Sequence, residues 1–494
     1  MQAQLIIRDE VNVKIEGLDL STRKKLVDKF KYEIPGARYQ PSVRLGRWDG
    51  KVAFFQLGGS TYINLLDAII PHLEAEGYDL VVNDIRDYSN NFTFTQFTED
   101  TFADQTWPVG HPQAGQPIKF RDYQVEIINN FLANPQSVQE IATGAGKTIM
   151  TAALSKSVEQ YGRSIVIVPN KSLVTQTEAD YKNLGLDVGV YFGDRKEFGK
   201  THTICTWQSL NILLKNTKSY DADVTIGEFI DGVVCIMVDE VHMAKADALK
   251  TLLTGVFSHV PIRWGLTGTI PKEDYERVSI FCSLGPVVGK LSASELQEAG
   301  HLANCHVNIV QLQDFVEYKD YQSELKYLVT NTERIAYLAK MISSIKESGN
   351  TLILVDRIET GKLLQAELST LFSLLSDKPD VAFVSGATKA TDRKEEYDDV
   401  ATATNKIIIA TYGVAAVGIN IPRIFNLVLV EPGKSFVRVI QSIGRGIRKA
   451  EDKDFVQIWD ITSTCKFAKR HLTKRKAFYK EANYPFTLEK ASWQ

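Results

Sequence analysis

Much of what this chain could be is excluded by what it lacks. Its 494 residues include only five cysteines, Cys205, Cys235, Cys282, Cys305 and Cys465. They lie far apart, no two have C-x-x-C spacing, and the count is odd. Neither a disulfide framework nor a structural zinc site is expected, and a reducing compartment is. No apolar run reaches the ~18 residues that a membrane span needs, and Met1-Gln2-Ala3-Gln4-Leu5 lacks the plan of a signal peptide. The expectation is a soluble, cytoplasmic protein with no membrane partner. An excess of one charge is missing too: 57 Lys and Arg against 60 Asp and Glu leave a net −3. The molecule is no polycation, so any contact to a polyanion must come from local basic patches.

What is present is ordinary globular material, 44% hydrophobic and 24% charged. At roughly 100–200 residues per domain, the length corresponds to about three domains. Residues 1–100 read as a small α+β domain: an alternating segment Gln4–Ile15, a helical pattern Ser21–Tyr32, a Pro/Gly/Arg/aromatic stretch and a second helical pattern Tyr62–Glu76. Asn90–Gln116, rich in Thr, Asn, Gln and Gly, reads as a linker. From Ile118 short apolar runs alternate with amphipathic helices. The runs are Ser137–Ile141, Ser164–Val168, Thr203–Thr206, Val233–Val238 and Arg263–Leu266. After a pause across Ser292–Tyr327 come Thr351–Val355, Val381–Val384, Lys406–Ala410, Leu427–Val430 and Phe455–Trp459. That rhythm predicts two tandem α/β domains, each a mostly parallel sheet flanked by helices, over 101–287 and 288–462. Residues 463–494 read as a basic helical tail.

The chemistry starts at Thr143-Gly144-Ala145-Gly146-Lys147-Thr148, between a strand run and a helix. Glycines there let backbone N–H groups close around phosphate oxygens. Lys147 can reach terminal phosphates, and the Thr148 hydroxyl can take a Mg²⁺ position. Ile141 stands where the first glycine of GxxxxGK[ST] would fall, so the loop alone is also compatible with a glycine turn capping a helix. About 90 residues later, Asp239-Glu240-Val241-His242 ends an apolar run. Asp239 can hold Mg²⁺, and Glu240 can orient and deprotonate an attacking water. An acidic pair after a strand is by itself as often a solvated turn, and its weight comes from the phosphate loop upstream. His242 is either a polar turn residue or a link between nucleotide and the next strand.

Gly-Lys-Thr followed by Asp-Glu-Val-His resembles the superfamily-2 helicases, and more of that family's motifs follow in order. Arg121-Asp122-Tyr123-Gln124 resembles the adenine-reading segment, with Arg121 and Gln124 as nucleotide contacts. Val168-Pro169-Asn170-Lys171-Ser172-Leu173 and Thr206-Trp207-Gln208-Ser209-Leu210 resemble motifs that grip a nucleic-acid strand. Leu266-Thr267-Gly268-Thr269 resembles the motif linking hydrolysis to strand movement. Thr411-Tyr412-Gly413 through Gly418-Ile419-Asn420 resembles the fifth motif, although many relatives carry Asp where Asn420 stands. Gln441-Ser442-Ile443-Gly444-Arg445-Gly446-Ile447-Arg448 matches QxxGRxxR in full. The resemblance implies two RecA-like domains that use ATP and Mg²⁺. Lys147, Asp239 and Glu240 would be catalytic, and Arg445 and Arg448 would neutralise charge developing on the γ-phosphate. Gly418 and Asn420 would touch nucleotide, and His242, Thr267, Thr269 and Gln441 would couple the two activities.

Arg38-Tyr39-Gln40-Pro41 through Arg44-Leu45-Gly46-Arg47-Trp48-Asp49-Gly50-Lys51 precedes the motor. It resembles the N-terminal domain of the recombination and fork-remodelling helicases of T-even bacteriophages. That likeness implies an enzyme of the host-cell cytoplasm that acts, as a monomer, on forks, Holliday junctions and R-loops, RNA–DNA hybrids included. Arg38, Arg44, Arg47 and Lys51 offer backbone affinity, and Trp48 offers a stacking face. The same residues would also suit a hairpin with a core Trp and solvated arginines. Asn170, Lys171, Thr206, Gln208, Ser385 and Gly386 fall after strand runs, where they could meet phosphates without reading bases. The basic tail fits a solvated helix as well as a backbone contact. Two other motors stay open, a restriction-complex subunit and an RNA helicase. No PD-x-(D/E)xK nuclease arrangement supports the first, and Asp-Glu-Val-His in place of Asp-Glu-Ala-Asp argues against the DEAD-box branch of the second. Outside motors, an ATP-regulated binding or annealing protein would not require Glu240 or Arg448.

Overall fold

The alternating segment near the start of the chain folds back on itself instead of running as one strand. Gln2–Ile7 (β1) and Asn12–Glu16 (β2) pair antiparallel around a turn in which the Asp9 carboxylate accepts the N–H groups of Val11 and Asn12 at 2.9 and 2.7 Å. The computed structural model describes residues 1–86, 91–109, 113–216, 224–243, 246–345, 349–373, 375–376, 378–386, 388, 395–396, 399–400, 402–415, 423–433 and 452–493. Gly418, Asn420, Gln441, Arg445 and Arg448 lie outside the described residues.

Lys31–Glu33 (β3) and Lys51–Ala53 (β4) form a two-stranded ribbon, and Ser60–Tyr62 (β5) and Asp79–Asp84 (β6) complete a four-stranded sheet in the order β5-β2-β1-β6. The helices Leu20–Lys29 and Leu66–Ala75 supply Leu26, Ile69 and Leu73 to a core shared with Leu5, Val13 and Ile15. Tyr275 and Cys282, from the helix Asp274–Leu284, join that core. The Asn12 and Asn64 side chains donate to the Thr254 and Phe281 carbonyls, each at 2.8 Å. The N-terminal sheet therefore shares its interior with the α/β layer that follows.

The chain divides into two units, residues 1–141 with 146–290, and residues 142–145 with 291–494. Unit 1 carries Gln136–Ile141 (β7), Arg163–Val168 (β8), Val188–Phe192 (β9), Arg195–Lys196 (β10), His202–Thr206 (β11), Val233–Asp239 (β12), Ile262–Thr267 (β13) and Val287–Leu291 (β14). They order as β10-β9-β11-β8-β12-β13-β7-β14, parallel from β9 through β7. All seven residues of β12 are buried, which is why the sequence shows a continuous apolar run there and no alternation.

Asn90–Gln116 is more than a linker. Phe97 donates its N–H to, and accepts at its carbonyl from, the Asn129 side chain, both at 2.9 Å. Its ring lies 5.0 Å from Phe120 and 6.2 Å from Phe102, and Phe94 lies 6.4 Å from Trp264. Four phenylalanines spaced through polar residues lay this stretch along the core, a pattern that composition alone obscures. Arg263, inside β13, is fully buried. Its guanidinium donates to the carbonyls of Leu253, Phe257, Val260 and Ser283, the last at 2.8 Å. Leu253 and Ser283 belong to last helical turns, where a cation meets the negative end of the helix dipole.

Unit 2 has Asn304–Gln313 (β15), Thr351–Val355 (β16), Asp380–Val384 (β17), Lys406–Thr411 (β18), Asn426–Val430 (β19), Phe455–Ser463 (β20) and Phe486–Ser492 (β21). The order is β17-β18-β16-β19-β20-β15-β21, parallel throughout. The expected pause across Ser292–Tyr327 hides β15. Its polar residues find cross-strand partners: Asn308 donates to Gln457 Oε1 at 2.8 Å, and Gln311 to the Ser463 carbonyl at 3.1 Å.

The last 32 residues are likewise more than a helical tail. The helix Lys466–Glu481 is capped by the buried Glu324 carboxylate, which accepts the N–H groups of Phe467 and Ala468, and β21 then pairs with β15. Arg475 points inward from that helix. It donates twice to Asp460, at 2.8 and 2.9 Å, and once to the Gly433 carbonyl at 2.7 Å.

Candidate active site

The loop between β7 and the helix Lys147–Val158 needs glycine at two points. Gly144 and Gly146 have φ of 95° and 84°, a region that side chains enter only at a cost. At Gly146 a Cβ would also stand 2.7 Å from the Gln124 side-chain nitrogen. Gln124, buried on the helix Asp122–Ala133, accepts the Arg121 N–H at 3.0 Å, so its amide is aimed by the start of its own helix. Arg121 turns its guanidinium to the Tyr123 hydroxyl at 3.0 Å.

Lys147 opens the next helix and is 8% exposed. Its ammonium lies 3.1 Å from Glu240 Oε1 and 3.4 Å from the Ile141 carbonyl. Thr148, also buried, donates its hydroxyl to Asp180 of the helix Lys171–Asn183. Burial pushes the Asp180 carboxyl up to about 6, against the smaller pull of the Thr148 hydroxyl. Asp239, at the end of β12, is 4% exposed and accepts the Glu240 N–H at 2.9 Å. Burial, and then the neighbouring Glu240 charge, hold its carboxyl above the ordinary carboxylate range. Glu240 has φ of 52°. A non-glycine residue in the left-handed region costs about 1–3 kcal/mol and is found where function over-determines the backbone.

From Glu240 a polar chain runs to the next strand. Gly268 donates its N–H to Glu240 Oε2 at 3.4 Å, and the His242 ring lies 3.5 Å from the same oxygen. His242 Nδ1 is 2.6 Å from Thr267 Oγ1, which itself donates to the Thr269 carbonyl at 2.8 Å. The Thr267 hydroxyl has one proton, and Thr269 takes it, so His242 must be the donor at Nδ1. Burial keeps the imidazole below its ordinary value, outweighing the Glu240 charge, and the ring is neutral at pH 7. The structure thus brings together Lys147, Thr148, Asp239, Glu240, His242, Thr267 and Thr269, and it adds Asp180, which no motif marks.

The strand-gripping candidates sit apart from this group. Asn170 caps the helix Lys171–Asn183 by accepting the Leu173 N–H at 3.1 Å, and Lys171 is exposed. Thr206 is buried against Ser209 at 2.9 Å, and Gln208 is exposed with its amide 3.5 Å from the Pro169 carbonyl. In unit 2, Ser385 is buried, its N–H donating to Thr388 at 3.0 Å, and Gly386 is exposed. The N-terminal patch projects from the β3–β4 ribbon. Arg38, Arg44, Arg47 and Lys51 are exposed, and the Arg38 guanidinium lies 4.9 Å from the Tyr39 ring centre. Trp48 is half-buried and donates to the Lys51 carbonyl at 2.9 Å.

The negative charges at the nucleotide loop outnumber the positive. Asp180, Asp239 and Glu240 converge around Lys147 and Thr148, and Lys147 pairs only with Glu240 among the described residues. Oxygen donors with excess negative charge suit a hard divalent cation, so the residues present fit Mg²⁺. Among the described residues no helix is long and apolar enough to cross a membrane.

Two family models match the chain. The Type III restriction enzyme, res subunit family matches residues 117–272, and the helicase conserved C-terminal domain family matches residues 333–450. Together with the loop, the acidic pair and the two parallel sheets, they define the class. The chain is a superfamily-2 helicase, an ATP-hydrolysing enzyme built on two RecA-like domains. Along nearly its whole length it is similar to one particular protein, the ATP-dependent DNA helicase uvsW of Enterobacteria phage T4, with 23% identity over 98% of this chain and 95% of that one. The crystal structure of T4 UvsW covers 100% of both chains at 19% identity and a TM-score of 0.46. The ATP-dependent Type ISP restriction-modification enzyme LlaBIII bound to DNA is matched over 83% of this chain and 33% of its own, at 16% identity and a TM-score of 0.56, a likeness of fold alone.

Proposed function

We propose that the chain is an ATP-driven DNA helicase and translocase that remodels branched DNA (forks, Holliday junctions and R-loops) in recombination, repair and replication. It would work as a monomer in the cytoplasm of a phage-infected host. The observation that carries the hydrolytic part is the Lys147–Glu240 pair at 3.1 Å, beside Asp239 and ahead of the His242–Thr267 bond. Before ATP enters, Lys147 holds Glu240 neutralised. A triphosphate competes for the ammonium, because three terminal oxygens with more charge outbid one carboxylate. Glu240, so released, can take a proton from an attacking water. Bound Mg²⁺ supplies charge neutralisation on the phosphates, and Thr148 and Asp239 would hold it. Arg445 and Arg448 add positive charge to the leaving γ-phosphate in this reading. Gln124 and Arg121 select adenine, with Gly418 and Asn420 also at the nucleotide.

Movement follows from the polar chain. A change in the partner of Glu240 alters what Gly268 and His242 feel, and Thr267 and Thr269 pass it along β13. Asn170, Lys171, Thr206, Gln208, Ser385 and Gly386 meet the strand through phosphates and sugars, and Arg38, Arg44, Arg47, Trp48 and Lys51 meet the branch. Support for DNA over RNA comes from the similarity to the phage T4 DNA helicase along 98% of the chain.

The test is hydrolysis and unwinding on single-stranded, duplex, forked, four-way and RNA–DNA substrates. Glu240→Gln should bind ATP and lose turnover by about 10²–10⁴-fold, the usual contribution of a positioned base. Wild-type turnover in Glu240→Gln or Lys147→Ala would end the catalytic assignment. Equal ATPase rates with and without DNA would end the translocase assignment.

A further inference from the structure

Asp180 is the one carboxylate of the nucleotide site that the motif series does not contain. It sits on the helix Lys171–Asn183, which packs against the helix that Lys147 opens. Its register is fixed by its neighbour. The Tyr181 hydroxyl lies 2.6 Å from Ser155 Oγ and donates to the Thr151 carbonyl at 3.2 Å, and Thr151 in turn donates to the Thr148 carbonyl at 2.7 Å. Thr148 donates its hydroxyl proton to Asp180, and among the described residues no Lys, Arg or His pairs with that carboxylate. A carboxylate withdrawn from water normally has a cationic partner. A threonine hydroxyl has one proton and two lone pairs, so giving the proton to Asp180 turns the lone pairs the other way.

We propose that Asp180 is a positioning residue for the divalent cation. It draws the Thr148 proton away so that a hydroxyl lone pair is presented to the cation, and its charge stands behind that ligand as the counter-ion the cation completes. The inference rests on the reading that Mg²⁺ enters with ATP and meets Thr148. Groups that accept hydrogen bonds from metal ligands typically contribute 10–100-fold in metal affinity.

The experiment uses the full chain and a fluorescent ADP analogue, titrated with MgCl₂ and, separately, in EDTA, with no turnover required. Asp180→Asn is nearly isosteric and removes only the charge. It should raise the Mg²⁺ concentration needed for half-maximal tight binding by about 10–100-fold, with unchanged ADP affinity in EDTA and an unchanged melting temperature. Asp180→Glu should recover part of the loss. Because Asp180 acts through Thr148, Thr148→Val/Asp180→Asn should bind Mg²⁺ no worse than Thr148→Val alone. A wild-type Mg²⁺ dependence in Asp180→Asn, or losses that add in the double variant, overturns the proposal. Wild-type ADP affinity that ignores Mg²⁺ overturns the underlying reading of the site, and with it this inference.

Discussion

Arg475 offers a sharp test of the packing of unit 2, because the sequence places it in a run of basic residues that looks solvent-facing. Its side chain is 1% exposed, and its guanidinium makes three hydrogen bonds, two to the fully buried Asp460 and one to the Gly433 carbonyl. Arg475→Ala removes all three. The Asp460 charge keeps the Tyr479 hydroxyl, at 2.6 Å, but loses its cation. Breaking a buried pair from one side costs about 3–5 kcal/mol, and at about 1.4 kcal/mol per tenfold the folding equilibrium of unit 2 should fall by roughly two to three and a half orders of magnitude. Arg475→Lys keeps a charge but cannot span both carboxylate oxygens, so its loss should be intermediate. Urea denaturation followed by tryptophan fluorescence reads this, since Trp459 and Trp493 both lie in unit 2. Lys474→Ala, one residue away and exposed, is the control and should move the midpoint little. If Arg475→Ala unfolds within about 0.5 kcal/mol of wild type, the ordinary range for an exposed position, the buried pair is not what holds the helix.

Three further outcomes are expected. His242→Ala or Thr267→Val should keep nucleic-acid-free ATPase within a few-fold while unwinding per ATP falls at least about tenfold, since each leaves a buried polar partner unmet but touches neither Lys147 nor Asp239; equal losses in both assays would dissolve the coupling role. Hydrogen bonds from Arg195, assisted by Lys182, hold the Glu178 carboxyl down to about 2. That depressed group stabilises the fold above its unfolded value of 4.5 and stops doing so as pH falls from there toward about 2, so Glu178→Gln should flatten this part of the acid-unfolding curve, and an unchanged curve would contradict the ion pair. Replacing Arg38, Arg44, Arg47 and Lys51 together with Ala should weaken forked-DNA binding and lower the salt dependence of log K by about three to four units if each meets one phosphate, whereas an unaltered slope in a binding titration would remove the patch from the DNA interface.

The strands with unbroken apolar runs were legible, because burial on both faces leaves a short run of Val, Ile and Leu. Val233–Asp239 and Thr351–Val355 are such cases, and the structure departs from the expected bounds there by one residue at most. β15 was not legible. It lies in the interior of its sheet, yet Asn304, His306, Asn308 and Gln311 break its apolar pattern, and only cross-strand partners make them compatible with burial. The aromatic belt before Ile118 was missed for the converse reason: its phenylalanines are too sparse for any periodicity, and each packs singly on unit 1. At the site, spacing alone singled out Lys147, Asp239 and Glu240. It gave no hint of Asp180, because an acidic residue on an amphipathic helix carries no mark of facing inward until the neighbouring helix is in place.

Glu240 holds a backbone conformation that glycine would adopt freely. Two selections therefore pull in opposite directions at one codon. A screen for thermal survival alone rewards Glu240→Gly or Glu240→Asn, which relieve the left-handed backbone and leave Asp239 without a like charge beside it. A screen for growth that depends on the motor rejects both. The position would surface in a library sorted for stability as an improvement and in one sorted for activity as a null, and the gap between the two lists would mark the catalytic corner without any assay of ATP.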